Sequence, residues 1–146
     1  MAEQMRRGAF EQQYCEAGFS YYDDLPSMKI SLGGEKKLVF SGVIDRIDTY
    51  GDQENVYVKV IDYKTGGVKL SLNSMFHGLQ MQLVLYMAAA IDMERKNHPD
   101  RDVMPAGMLY YYVKDAELRL DGEEEEQNLE EELLKEYKCG GYVNEK

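Results

Sequence analysis

The chain has 146 residues, of which 44% are hydrophobic and 30% charged, and its formal net charge is −10. That size and balance fit one globular domain with a single hydrophobic core and exclude a disordered chain. No apolar run approaches bilayer length, and residues 1–10 lack the apolar centre of a secretory signal. The two cysteines, Cys15 and Cys139, are far apart and have no zinc-site or redox spacing. Free structural thiols, a cytoplasmic location and no membrane contact are therefore expected. The net charge alone disfavours nucleic acid as a partner, because phosphate binding draws on a basic surface. Much of the acidity, however, is concentrated at 121–126 and 130–132, and a local run need not describe the working surface.

In chain order, residues 4–15 are compatible with helix or strand, and Gly18 and Asp23-Asp24 interrupt any longer element. Pro26 precedes a short strand at 28–32, and Gly33-Gly34 reads as a hairpin turn. A long strand is predicted over 37–48, a turn containing Gly51-Asp52 over 49–55, and a third strand over 56–64. Connections this short cannot form crossovers, so the three strands are expected to make an antiparallel meander. A long helix is predicted over 75–97, capped by Asn73 or Ser74 and stopped by His98-Pro99. Its stripe is Met75, Leu79, Gln82, Tyr86, Ala90 and Met93. The run MLYYYV at 108–113 reads as a returning strand. An acidic, exposed helix is predicted over 121–138, ending at Gly140-Gly141. The fold class is α/β: one domain over 1–146, its core at about 10–120 followed by the acidic helix at about 121–140, with a mostly antiparallel central sheet and a packed long helix.

Two strands end in carboxylates. Asp45 closes GVID and Asp62 closes VID, with Lys64 two residues further on. Side chains alternate along a strand, so Asp62 and Lys64 share a face with Val56, Val58 and Val60. Carboxylates beside a core are costly unless paired or bound to a cation. If the register brings them together, Asp45 and Asp62, a backbone carbonyl and waters suit Mg²⁺. Lys64 could then position or deprotonate a water, or stabilise charge on a phosphate; together these groups suit phosphodiester hydrolysis. Gln82 occupies a stripe position where an apolar residue is expected, and Tyr86 lies one turn on; both can reach from one helix face toward the strand tips.

The strings GVIDRID, VIDYKTG and GLQMQLVLY place GxxD, DxK and QxxxY motifs in order. With the flanks LPSMKISL, AGMLYYYVKD and LLKEYKCGG, they resemble the PD-(D/E)xK nucleases, and more narrowly the RecB-like nuclease domain of AddB-type helicase–nuclease subunits. The resemblance covers roughly residues 10–142 and implies a restriction-endonuclease-like core. It implies metal binding by Asp45, Asp62 and the Tyr63 carbonyl, a catalytic role for Lys64, and arrangement of the site and DNA by Gln82 and Tyr86. It implies Mg²⁺, with Mn²⁺ as a substitute, as the cofactor. DNA would arrive as a single strand delivered by a helicase motor, alongside a partner helicase–nuclease subunit, in double-strand-break processing and recombinational repair. Asp48 matches an AddB-type feature without an assigned role, and pairing with Arg46 is expected. The family's first motif is a histidine upstream of the strands, and this chain has none before His77. The chain is accordingly expected to be a piece of a longer protein, weakly active or inactive alone, and without an iron–sulfur cluster.

Blander readings stand beside these. Asp45, Asp62 and Lys64 can form a surface ion-pair network, Gln82 a satisfied core amide, and Tyr86 ordinary packing. His77 can be a solvated histidine or a substitute ligand. Residues 110–112 can be alternating core and surface tyrosines or a base-stacking platform. At the level of function, the alternatives are a DNA-end or protein-docking module with an incomplete site, and a Cas4-like or phage exonuclease of the same superfamily.

Overall fold

The computed structural model describes residues 9–65, 71–77, 80–113 and 139–144. Among them, a five-stranded sheet is built from β1 (Glu11–Phe19), β4 (Gly42–Gly51), β5 (Asn55–Lys64), β6 (Asp102–Tyr112) and β7 (Cys139–Val143), side by side in that order. A separate two-stranded hairpin pairs β2 (Lys29–Gly33) with β3 (Lys36–Val39). The β5–β6 pairing is parallel and the other pairings are antiparallel. Two helices lie between β5 and β6: the short α1 (Leu72–Phe76) and the long α2 (Gln82–Asn97). This is the mixed α/β, mostly antiparallel architecture expected from the sequence. No helix among the described residues is long and apolar enough to cross a membrane.

The core lies between the sheet and α2. β5 supplies Val56, Val58 and Val60 at two-residue steps, β4 supplies Ile44 and Ile47, and α2 supplies Leu83, Met87 and Ala90, all buried. The valines of β5 and the apolar residues of α2 show the periodicities of strand and helix meeting face to face. Leu25 and Met28 seal one side. The buried Asp92 of α2 accepts from both the backbone N–H and the hydroxyl of Ser27, at 2.7 and 2.6 Å, and so ties the Pro26–Met28 turn to the helix.

Several expectations are corrected. The three early strands do not form one meander. The strand expected over 37–48 divides at Phe40 and Ser41, because the Phe40 N–H leaves the ladder and donates to Met28 O at 3.0 Å. β2 and β3 are thereby separated, and β4 pairs instead with β1, the segment left open by the sequence. The helix expected over 75–97 is two helices, the first capped by Ser71 rather than by Asn73 or Ser74. Gly78 costs a continuous helix about 1 kcal/mol in this stretch. The break resets the helical phase, so Leu83 and Met87 face the core while Gln82 is exposed at its rim. Residues 121–138 lie outside the described residues. Cys139–Val143, however, is an edge strand antiparallel to β6 rather than a helix end, so the sheet extends past residue 120. Tyr110 and Tyr111 are both buried, on opposite faces of β6, and do not alternate between core and surface.

Candidate active site

β4 and β5 pair from Gly51↔Val56 down to Arg46↔Ile61. Continuing that register by one residue sets Asp45 opposite Asp62, but the backbone ladder stops short of it. Asp45 Oδ2 instead accepts the Tyr63 backbone N–H at 2.7 Å, standing in for a ladder acceptor. A strand residue points its N–H and C=O to the same side. The Tyr63 carbonyl therefore faces the β4 side, as its N–H does, while the neighbouring Lys64 carbonyl faces β6 and accepts Val113 N–H at 2.9 Å. Asp45, Asp62 and the Tyr63 carbonyl thus border one opening between two strand tips.

Asp62 is 2% exposed. Burial pushes its carboxyl pKa up; the Lys64 ammonium opposes this, and the negative charge of Asp45 adds to it. Lys64 Nζ lies 2.6 Å from Asp62 Oδ2 as an ion pair, yet that buried oxygen accepts no hydrogen bond of good geometry. For Lys64, burial alone favours the neutral amine, but Asp62 outweighs it and the pKa is raised. Beside Asp62, Lys64 is therefore favoured as an ammonium, a state that suits charge stabilisation and positioning.

Lys64 Nζ also donates to Gln82 Oε1 at 3.0 Å, and Gln82 Nε2 donates to Tyr86 Oη at 2.9 Å. The amide orientation is set at both ends, because the ammonium needs an oxygen opposite it. Asp62, Lys64, Gln82 and Tyr86 form one continuous chain of contacts with Asp45 beside it. The core-amide reading of Gln82 does not hold, since the residue is exposed and bonded to the strand tip. His77 is exposed at the C-terminal cap of α1, and no group of three or more His, Cys, Asp or Glu ligands occurs among the described residues. A cation here would rely on two carboxylates, a carbonyl and water, a donor set that suits a hard, strongly hydrated ion. The buried Asp62 Oδ2, ion-paired with Lys64 but accepting no hydrogen bond of good geometry, fits such a ligand.

Two contributors were not read from the sequence as site residues. The Tyr110 ring lies under Lys64, 5.4 Å from Nζ to the centroid, and pairs in register with Asp62. A cation over an aromatic face is attracted by its quadrupole. Gly42, the glycine of GxxD, lets the Phe19 ring of β1 lie close over β4: a Cβ there would lie 3.2 Å from that ring, and 3.4 Å from Tyr86 Cε1. Phe19 in turn meets Tyr86 edge-on, with centroids 6.0 Å apart. The motif pattern signalled Gly42 without its reason, whereas Tyr110 depends on a parallel pairing that only the fold reveals.

Comparison with known proteins identifies the family. A family model for the PD-(D/E)XK nuclease superfamily matches residues 1–141. An ATP-dependent helicase/deoxyribonuclease subunit from Clostridium perfringens is 37% identical over 143 residues, covering 98% of this chain and 12% of that protein. The like-named subunit from Acetivibrio thermocellus is 33% identical over 145 residues, and that from Clostridioides difficile 30% over 143 residues, each with the same 98% and 12% coverage. The chain thus spans about 12% of the length of these relatives. With a family match along nearly its full length, a mixed sheet flanked by a long helix, and the aspartate and lysine of DxK side by side at a strand tip, this chain belongs to the PD-(D/E)XK nuclease superfamily.

Proposed function

We propose that this chain is the metal-dependent nuclease module of a bacterial helicase–nuclease. It would cut a DNA strand delivered by a motor, with a partner subunit, during double-strand-break end processing and recombinational repair in the cytoplasm. The observation that carries this reading is the contact chain Asp62–Lys64–Gln82–Tyr86 with Asp45 beside it. Its members come from two strands and a helix.

Asp45, Asp62 and the Tyr63 carbonyl would hold a divalent cation, Mg²⁺ or Mn²⁺. When bound, such an ion activates water at neutral pH and neutralises charge developing on the phosphodiester. The Lys64 ammonium is placed to donate to a non-bridging phosphate oxygen or to orient the attacking water. Gln82 keeps Nζ from swinging away, and the Tyr86 hydroxyl keeps Gln82 from flipping. Asp62 counterbalances the lysine while retaining an oxygen for the ion. Delivery by a motor makes the acidic net charge compatible with a DNA substrate, since affinity need not reside in this module.

The test is cleavage of end-labelled single-stranded DNA with and without Mg²⁺. The unmodified chain, expected to be weak without a histidine ahead of its strands, should show whatever cutting it has only with the ion, and Asp62→Ala and Lys64→Ala should lower that cutting about a hundredfold or more. A chain that binds DNA but never cuts, with affinity unchanged in both variants, would be a docking module instead.

A further inference from the structure

We infer that Asp48 is a positioning residue: through Arg46 and Tyr63, from the sheet face opposite α2, it sets the spacing of the β4–β5 opening that borders Asp45 and Asp62. The inference deepens the nuclease reading and rests on it.

The register places the participants together. Arg46 pairs with Ile61 and Asp48 with Lys59, so both lie on the outer face that β5 shares through Lys59, Ile61 and Tyr63. Asp48 is 1% exposed, and Arg46 is 6% exposed. Asp48 takes a two-pronged hydrogen bond from Arg46, Nε to Oδ1 at 2.5 Å and Nη2 to Oδ2 at 2.9 Å, and Lys59 Nζ lies 2.9 Å from Oδ2. A guanidinium gripped at both Nε and Nη2 has a fixed plane. Its remaining donors reach diagonally across to the Tyr63 side chain. The Tyr63 ring is braced edge-on against Tyr111, with centroids 5.6 Å apart and planes at 79°.

A buried ion cluster of this kind adds little stability over apolar packing. The ladder ends at Arg46↔Ile61, one residue before the opening. Beyond it, the Tyr63 backbone is held toward β4 by the Asp45 carboxylate, the same group that would turn to a cation. A brace that is also a ligand cannot fix the spacing by itself. The Asp48–Arg46–Tyr63 link ties the same two strands across the same gap, from the other face, without using any ligand atom. Tyr63 is where the two ties meet, its backbone on one and its phenol on the other.

The experiment is Mn²⁺ titration by calorimetry on the unmodified chain and on Tyr63→Phe, Asp48→Asn and Asp62→Asn, with the melting temperature of each. Tyr63→Phe keeps the ring and its Tyr111 contact and deletes only the hydroxyl. Measured well below the melting temperature, it should weaken Mn²⁺ binding about tenfold, the usual scale for groups that orient ligands, beside a small drop in melting temperature from the Arg46 donor left without its partner. Asp48→Asn should weaken it at least as much; if that variant does not fold, Tyr63→Phe decides alone. Tyr63→Phe binding Mn²⁺ like the unmodified chain overturns the positioning role and leaves the nuclease reading intact. An unmodified chain with no Mn²⁺ binding that Asp62→Asn removes overturns both.

Discussion

Lys64 and Gln82 are 18 residues apart, on a strand and a helix, yet Nζ and Oε1 meet at 3.0 Å. The lysine is thereby held between the amide and the Asp62 carboxylate, at 2.6 Å on the other side. On the proposed function, losses of activity should be graded along this chain. Lys64→Ala should lower the cleavage rate about a hundredfold or more, the usual scale for a lost transition-state donor. Gln82→Ala should lower it about tenfold, as a supporting partner. Tyr86→Phe should do least, since only the restraint on Gln82 is lost. Single-turnover rates on one DNA substrate check the ranking, and equal rates in all variants would refute it.

Adjacent residues on α2 should separate activity from stability. Leu83 is fully buried, so Leu83→Ala should cost about 2–5 kcal/mol in urea unfolding. Gln82 is exposed at the rim, so Gln82→Ala should stay within about 0.5 kcal/mol of the parent. A large stability loss in Gln82→Ala would mean that the amide is a core residue after all.

Asp45 carries two duties that substitution can divide. Asp45→Asn keeps an oxygen for the Tyr63 N–H but loses the charge a cation needs. It should melt near the parent temperature and lack the Mg²⁺-induced rise, which in the parent corresponds to about 2.7 kcal/mol at a hundredfold excess over Kd. Asp45→Ala should also lose about 1 kcal/mol without metal, because the N–H is left without its partner. Thermal melts with and without Mg²⁺ distinguish the two substitutions.

The parts of this arrangement that follow from local rules were legible in the sequence. Two-residue alternation placed Asp62 and Lys64 on one face with Val56, Val58 and Val60, and in the folded chain they meet there. The Arg46–Asp48 pair followed from the same parity. What depends on long-range packing was not legible. The departure of Phe40 to Met28 divides a run of strand-forming residues that looks continuous. The helical stripe counted from Met75 carried its phase across a break and put Gln82 in the core. The parallel partner β6, which brings Tyr110 under Lys64, and the edge strand β7 are set by topology, and neither shows in local periodicity.

The β4–β5 turn gives a prediction in pH. Backbone N–H groups of Asn55 and Glu54 hydrogen-bond the Asp52 carboxylate and lower its pKa in the folded state. The unfolded chain then binds the proton more readily, so the stabilisation is present above the unfolded carboxylate value, about 3.9, and is lost as pH falls through the lowered folded value. Asp52→Ala should be less stable than the parent at neutral pH, with the gap closing only in acid. Urea midpoints for both chains from pH 7 down to the acid limit of folding check this; a gap that is constant with pH would contradict it.

The central claim is that Asp45, Asp62 and the Tyr63 carbonyl converge on one cation. Anomalous diffraction from crystals soaked in Mn²⁺ tests it most directly. The account predicts a peak in the opening between β4 and β5, about 2.0–2.3 Å from an oxygen of each aspartate and of the Tyr63 backbone. A peak bound elsewhere, or none at this opening in crystals that take up the ion, would contradict it.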